Sequence, residues 1–175
     1  CSNCAPNALA PMLEMVGRPV SRETLTAQAF LLDYLSGNLQ IRSGTSENSE
    51  FGIRNSELDS NIPHSTFHIP PSLRGPLYIS MDSVRRLSVA YGLTLNAVEL
   101  TYDELLLLRY PMIAALDLTQ DGAADHYVVV RDANEVRVNY IESDGTRETM
   151  STNEFFKYFT RFALVPSADS YGRLL

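Results

Sequence analysis

Apolar residues recur three and four positions apart along the first part of the chain, which is the period of an amphipathic helix. The first such set predicts a helix over residues 4–16, ended by Gly17. The second set predicts a helix over residues 21–34, with Ser21 as its N-cap. Pro11 falls inside the first pattern and predicts a kink or a shortened first turn there.

Residues 36–75 break this pattern. The stretch is polar, rich in Ser, Asn, Gly and Pro, and has little periodicity. Segments of this length without regular structure, inside a compact domain, are usually functional or partly mobile. We therefore predict an insertion at about 36–75 that acts as a lid or substrate-binding flap. A surface loop without such a task is the open alternative.

Regular patterns resume at Ser80. Two capping-box sequences, Thr101 to Glu104 and Ser151 to Glu154, predict the starts of short helices. The other predicted elements are a helix over 80–91 and strands over 93–100, 111–116, 126–131, 135–142 and 162–165. A helical first half followed by short strands predicts an α+β fold, with a helical N-terminal subdomain packed on a C-terminal antiparallel β-sheet. The length of 175 residues fits a single domain, 1–175, with a sizeable core.

The composition narrows the functional classes. The net charge is −7 and no basic stripe is visible, which disfavours a nucleic-acid partner. No apolar run approaches the roughly 20 residues that a transmembrane helix needs, so we expect a soluble domain without a transmembrane segment. Apolar and charged contents of 45% and 20% are those of an ordinary globular protein.

Metal binding is a weak interpretation of this sequence. Two cysteines three apart, Cys1 and Cys4, form neither a disulfide framework nor a complete zinc site. His64 and His68 are four apart, but the prolines around them break the helix that would align them. We therefore expect a surface loop there, with no bound metal and no cofactor.

The start of the chain at Cys1 leaves the location of the protein open. Met removal before a small residue, lipoprotein processing with lipid anchoring, and removal of an upstream segment all fit this start. Cys1 could also be the nucleophile of an N-terminal-nucleophile amidohydrolase. That class is disfavoured, because its members are dominated by strands and the residues after Cys1 open a helix.

Cys4 and His126 are the most informative pair of residues. Cys4 stands at the head of the first predicted helix, where unpaired N–H groups and the helix dipole favour a thiolate. His126 opens a late apolar strand. If the fold brings the two together, they form a nucleophile–base couple. Taken singly, each is more often a buried or structural residue.

A third residue could orient the imidazole, as thiol peptidase chemistry requires. If the hairpin turn centres on residues 133–134, the position opposite His126 is about 141 or 142. Glu142 is in phase with the apolar face of its strand, so we rank it first, with Asp144 second and Asn139 third. The alternative is that Glu142 is a surface carboxylate at a strand end.

Several short motifs occur in a characteristic order. They are Cys4-Ala5-Pro6-Asn7-Ala8-Leu9, Ala90-Tyr91-Gly92-Leu93, Pro111-Met112-Ile113-Ala114, His126-Tyr127-Val128-Val129 and Ser151-Thr152-Asn153-Glu154-Phe155. In this order the chain resembles the papain-like cysteine peptidases that trim double-glycine leaders from bacteriocins. The resemblance covers most of the chain except about residues 36–75. It implies a papain-like fold, a peptide or protein substrate, Cys4 as nucleophile, His126 as general base, and Glu142 at the position of the family aspartate.

The sequence also departs from that family. Asn3, Ala5 and Glu142 replace an Asp, a Gly and an Asp of the family pattern. The family's oxyanion-hole Gln lies a few residues before its Cys, and the sequence begins only three residues before Cys4. Exporter-linked members carry further domains, so a larger assembly is possible. We expect a cysteine peptidase or related thiol acyl-transfer hydrolase. The alternative is a weak or inactive papain-like domain that binds a peptide or protein partner.

Overall fold

A computed structural model describes residues 4–37, 40–41, 77–109 and 111–168. The predicted insertion at 36–75 lies almost entirely outside the described residues. Cys1, His64 and His68 also lie outside them. What was predicted for these positions therefore stays a prediction.

Two helices open the described chain: α1 spans Cys4–Met15 and α2 spans Arg22–Leu35. Ser21 caps α2 as predicted, because its side chain accepts a hydrogen bond from the Thr24 N–H at 3.2 Å. Gly17 ends the first helical run with a positive φ of 72°, a backbone conformation that glycine adopts without strain. Pro11 lies inside α1.

A buried carboxylate joins α2 to the next helix, α3, which spans Met81–Ala90. Asp33 is fully buried, and its two oxygens accept hydrogen bonds from the Ser80 N–H, the Ser80 hydroxyl and the Ser83 hydroxyl at 2.6–2.9 Å. A negatively charged carboxylate at the N-terminal end of α3 is also stabilised by the positive end of that helix dipole. The strand β1 (Gln40–Ile41), which follows α2, pairs antiparallel with β2 (Leu77–Tyr78), which directly precedes α3.

The rest of the chain forms a six-stranded sheet with two short helices. The elements are β3 (Leu95–Glu99), α4 (Tyr102–Leu107), β4 (Met112–Leu116), β5 (His126–Ala133), β6 (Arg137–Ile141), β7 (Arg147–Ser151), α5 (Thr152–Tyr158) and β8 (Phe159–Pro166). The strand order is β3-β8-β4-β5-β6-β7, and every neighbouring pair is antiparallel. The predicted α+β class, with a helical N-terminal part on an antiparallel sheet, is confirmed.

Both faces of the sheet are covered, because successive residues of a strand point to opposite faces. Ile113, Val129 and Leu164 pack with α1, α2 and α3 in one core cluster. Their neighbours Met112 and Val128 belong to a second cluster that includes α4 and α5. This burial on both sides explains why β4 is apolar without alternation.

Three sequence predictions about the strands were incomplete or wrong. β7 was not predicted, because most of its residues are exposed and leave no apolar pattern. β8 begins at Phe159 rather than 162. The last strand was expected to end at residue 165, but Pro166 pairs with Leu95, and Ser167 donates a backbone hydrogen bond to the Thr94 carbonyl at 2.9 Å.

The register of the β5–β6 hairpin also differs from the prediction. The turn was placed at residues 133–134, but Ala133 pairs with Val138 and Val129 pairs with Ile141. The position of the turn causes the shift. The Asn134 side chain accepts the backbone N–H groups of Val136 and Arg137 at 2.8 and 3.0 Å, which builds the turn later. A β-bulge between Val130 and Asp132 moves the pairing back by one position, so it reduces the shift without removing it. The predicted pairing of His126 with 141 or 142 is therefore wrong, and β6 ends before it reaches His126.

Candidate active site

Cys4 is the first residue of α1, so its side chain lies where the helix has unpaired N–H groups. The first turn of α1 contains no acidic residue that would compete for this positive end. Pro6 sits in the same turn, where a missing N–H costs nothing. The local sequence thus provides an environment that would favour a negatively charged sulfur.

His126 is the first residue of β5 and pairs with Leu116 of β4. Its Nδ1 lies 3.4 Å from Sγ of Cys4, although the two residues are 122 positions apart in the sequence. The contact joins the N-terminal end of α1 to the beginning of a sheet strand. The fold therefore brings together the two residues that the sequence analysis paired.

Glu142 lies directly after β6, and its Oε2 is 2.7 Å from Nε2 of His126. An ionised carboxylate only accepts hydrogen bonds, so this contact favours a ring that carries its proton on Nε2. The Nδ1 lone pair then points toward the sulfur of Cys4, as a general base requires. The side chains of His126 and Glu142 keep 14% and 28% of their surface exposed.

The two lower-ranked candidates for the third position make other contacts. Asp144 accepts the Thr146 backbone N–H at 2.8 Å, and hydrogen bonds from Thr146 lower the pKa of its carboxyl group. Asn139 donates to Asp132 at 2.6 Å and accepts from Thr149 at 2.7 Å. Glu142 is thus the candidate that the structure brings to His126, while Asp144 and Asn139 stabilise the turn and the sheet.

The sulfur of Cys4 is disulfide-bonded in this structure. The sequence contains one other cysteine, Cys1, which lies outside the described residues. Cys4 is also fully buried, with 0% of its surface exposed. A disulfide sulfur is not the thiolate that attacks a carbonyl, so the observed form of the site is oxidised. Cysteine spacing did not predict this bond.

The loop that leads into His126 is held by two aspartates that the sequence analysis did not single out. Asp117 accepts the backbone N–H groups of Asp121 and Gly122 at 3.1 and 2.8 Å. Asp125 accepts those of Leu118 and Thr119 at 2.9 and 3.1 Å. Burial opposes ionisation of Asp125, but these hydrogen bonds outweigh it and lower the pKa of its carboxyl group. The Asp-Gly pair at 121–122 was the sequence signal for this structured turn.

Two negative findings concern the described part of the chain. No cluster of three or more metal-ligating side chains occurs among the residues at 4–37, 40–41, 77–109 and 111–168. Within the same ranges, no helix has both the length and the apolar surface needed to cross a bilayer.

Comparison with known proteins bears on the fold and on the family. A family model described as the peptidase C39 family matches residues 78–170. The crystal structure of a double glycine motif protease from an AMS/PCAT transporter, in complex with the leader peptide, aligns with a TM-score of 0.60 and 13% identity over 95% of this chain and 84% of that chain. The peptidase domain of Streptococcus ComA, a bifunctional ABC transporter, aligns with a TM-score of 0.61 and 13% identity over 95% and 91%. No curated protein matches the sequence.

The antiparallel sheet with helices packed on both faces has the papain-like fold of these solved peptidase domains. The family model covers more than half of the chain, and the chain belongs to the peptidase C39 family. The resemblance to double-glycine leader peptidases noted from the motifs is confirmed. The matched range includes His126 and Glu142 but begins after Cys4.

Proposed function

We propose that this chain is a cysteine peptidase in which reduced Cys4 is the nucleophile, His126 the general base and Glu142 the carboxylate that orients the imidazole. The observation that carries the proposal is an unbroken line of contacts through both ring nitrogens of His126. Nδ1 of His126 lies 3.4 Å from Sγ of Cys4, and Nε2 lies 2.7 Å from Oε2 of Glu142. A nucleophile, a base and an orienting group within reach of one another form the arrangement that thiol peptidases use.

The first half of the reaction forms an acyl-enzyme. Nδ1 of His126 takes the proton of the Cys4 thiol, and the thiolate attacks the carbonyl carbon of a peptide bond. As the C–S bond forms, an electron pair moves onto the carbonyl oxygen. The backbone N–H of Cys4, at the start of α1, donates a hydrogen bond to this oxyanion. The C–N bond then breaks, and the imidazolium gives its proton to the leaving amine.

The second half hydrolyses the thioester. Nδ1 of His126 takes a proton from a water molecule, whose oxygen attacks the thioester carbonyl. The C–S bond breaks, the carboxylic acid product leaves, and the sulfur recovers its proton from the imidazolium. Through both halves, Glu142 stabilises the positive charge that forms on the ring.

For the substrate, we propose a peptide with small residues before the cleaved bond. The support is similarity. One solved structure that shares this fold is described as a double glycine motif protease and contains a leader peptide. The two solved structures named above come from transporters, so we also keep the proposal that this domain works within a larger assembly.

We propose further that residues 1–175 form one peptidase domain, with the segment at about 36–75 as an insertion or flap. The pairing of β1 with β2 supports this arrangement. Because the two strands are neighbours, the chain leaves and re-enters the fold at adjacent positions.

A second candidate function is a papain-like domain that binds a peptide without cleaving it. The complete burial of Cys4 and its disulfide bond favour this candidate, because a substrate carbonyl has no access to the sulfur in the observed form. It predicts that peptide binding survives the loss of the thiol.

The decisive experiment compares the wild type with Cys4→Ala under reducing conditions. The probe is a fluorogenic peptide that ends in Gly-Gly before the reporter amine, with product masses as a second readout. We expect cleavage by the wild type and by the control Cys1→Ser, and only the uncatalysed rate with Cys4→Ala, because no nucleophile remains. Thermal unfolding checks that all three proteins are folded. Equal cleavage by Cys4→Ala would refute the proposed nucleophile. Binding of the peptide without cleavage by any variant would favour the second candidate.

A further inference from the structure

Arg22, the first residue of α2, lies against the turn that follows Glu142. A Cβ atom built on Gly145 would be 2.5 Å from Nη2 of Arg22 and 3.5 Å from Cζ, so the guanidinium occupies the space beside the Gly145 backbone. Gly145 has a φ of 93°, which a residue with a side chain rarely adopts. The contact joins the helical part of the molecule to the end of the sheet, between residues far apart in the sequence.

The turn is a closed unit that includes the backbone of Glu142. The Glu142 N–H donates to the Thr146 carbonyl at 2.8 Å, and the Gly145 N–H donates to the Glu142 carbonyl at 2.9 Å. The Thr146 N–H donates to Asp144 at 2.8 Å. A displacement of Gly145 would therefore move the Glu142 backbone and draw its carboxylate away from Nε2 of His126.

The helix to which Arg22 belongs gives no reason for an arginine at this position. A cation in the first turn faces the positive end of the helix dipole, which is unfavourable. Its Nε is buried and has no hydrogen-bond partner in the described part of the structure. The turn offers a reason for an arginine at this position, because the positive charge of Arg22 interacts favourably with the Asp144 carboxylate. Hydrogen bonds from Thr146 chiefly lower the pKa of Asp144, and Arg22 adds to this effect.

We propose that Arg22 is a positioning residue that holds the turn from Glu142 to Thr146, and thereby holds the Glu142 carboxylate on His126. The inference rests on the proposed function, in which Glu142 orients the imidazole. A planar guanidinium covers the flat glycine backbone and attracts the acidic turn at the same time. A lysine ammonium supplies only the charge.

The test compares Arg22→Met with a matched control elsewhere in the fold. Methionine keeps most of the apolar stem and removes the guanidinium. Arg18 is the control, because its guanidinium also lies against a glycine of positive φ, Gly92, and donates to the Tyr91 carbonyl. That turn, at the end of α3, carries no proposed site residue. Arg18→Met therefore reports the general cost of losing such a contact.

The first readout is the imidazole N–H proton resonance of His126 in NMR spectra of the 15N-labelled protein, assigned with His126→Gln. A proton held between Nε2 and a carboxylate gives a resolved downfield signal when it is protected from exchange. We expect the signal in the wild type and in Arg18→Met, and its loss or broadening in Arg22→Met, as in Glu142→Gln. An unchanged signal in Arg22→Met would overturn the proposal. This readout needs no substrate, so it stands even if the peptidase proposal fails.

The second readout is kcat/KM in a double-mutant cycle. A small misplacement of a catalytic group can cost up to about 100-fold, so we expect Arg22→Met to lose about 10-fold to 100-fold. In the Glu142→Gln background the same change should add less than about twofold, because both changes remove one interaction. Equal losses in both backgrounds would mean that Arg22 acts independently of Glu142, which contradicts the proposal.

A second variant covers the case in which Arg22→Met does not fold. The methyl group of Gly145→Ala would lie 2.5 Å from Nη2 of Arg22 and push the guanidinium off the turn, in addition to the backbone strain of a side chain at positive φ. Gly37→Ala is its control, because Gly37 has a positive φ of 70° and nothing within 4 Å of a built Cβ. We expect the His126 signal to be lost in Gly145→Ala and kept in Gly37→Ala. Retention of the signal in both would overturn the proposal.

Discussion

The two regions that contribute to the candidate site hold their groups by different means. In the sheet, His126 is the first residue of β5 and Glu142 directly follows the neighbouring strand β6. Nε2 of His126 lies 2.7 Å from Oε2 of Glu142. In the helical region, Sγ of Cys4 lies 3.4 Å from Nδ1 of His126 because α1 packs on the sheet, with Leu9 of the helix and Val129 of β5 in one core cluster. Backbone hydrogen bonds between strands place His126 and Glu142, whereas side-chain packing places Cys4 beside His126.

This difference indicates that the position of Cys4 depends more on core packing than the positions of His126 and Glu142 do. Strand pairing sets positions through directional hydrogen bonds, whereas packing lets a helix shift with the volume of its core. The family model also matches the sheet region, at 78–170, while α1 and α2 are recognised through the fold alone. The proposed nucleophile therefore lies in the region where both the position and the oxidation state can change.

The largest effect should come from the oxidation state of Cys4, in the helical region. Without reductant we expect essentially no cleavage by the wild type, because the sulfur is held in a disulfide. Cys1→Ser removes the only other cysteine of the chain and should be active without reductant. The measurement is the cleavage rate at a series of dithiothreitol concentrations, with thiols counted by mass after alkylation. Equal dependence on dithiothreitol in both proteins would contradict this prediction.

A smaller effect is expected in the sheet region, at Glu142. Glu142→Gln keeps the shape of the side chain and removes the charge, so it should lower kcat on the order of 100-fold or more, through the orientation and charge of His126. Asp144→Asn is the matched control two residues away and should leave kcat nearly unchanged, because Asp144 contacts Thr146. The measurement is kcat for the three proteins with one peptide. The reverse ranking would transfer the orienting role to Asp144.

The smallest effect on activity is expected at Asp33, in the helical region but away from the site. Asp33→Asn removes a buried charge that accepts three hydrogen bonds, so the free energy of unfolding should fall by about 2–3 kcal/mol. Asp82→Asn is the control, because its ion pair with Arg85 is exposed and should contribute about 0–1 kcal/mol. Urea unfolding measures both. We expect little change in kcat for either variant, and a large loss in Asp33→Asn would mean that the α2–α3 contact also positions Cys4.

Local patterns predicted most of the helices and strands of the fold. The caps at Ser21, Thr101 and Ser151 were found because a cap and its partner lie within three residues of each other. β4 and β5 were found as apolar runs. β7 and the two-residue strands β1 and β2 left no such pattern, because a strand that is short or mostly exposed need not be apolar.

The candidate site was predictable in part for the same reason. Cys4 and His126 stand out because each lies at the beginning of a strongly patterned element. Glu142 was ranked first on two arguments, the predicted pairing with His126 and the phase of its strand. The structure corrects the pairing, but Glu142 does contact His126. The catalytic roles of all three residues stay predictions until the variants are measured.

By itself the sequence determined most of the elements and their order, the caps and the two residues most suited to thiol chemistry, because each of these depends on neighbours a few positions away. Only the tertiary structure decided that Nδ1 of His126 meets the sulfur of Cys4 across 122 positions. It also decided that Glu142 rather than Asp144 reaches Nε2, and that Arg22 lies on the turn beside it. These contacts depend on the register of β5 with β6 and on how helices pack on a sheet. Both are set by the whole core at once, and no local stretch of sequence encodes them.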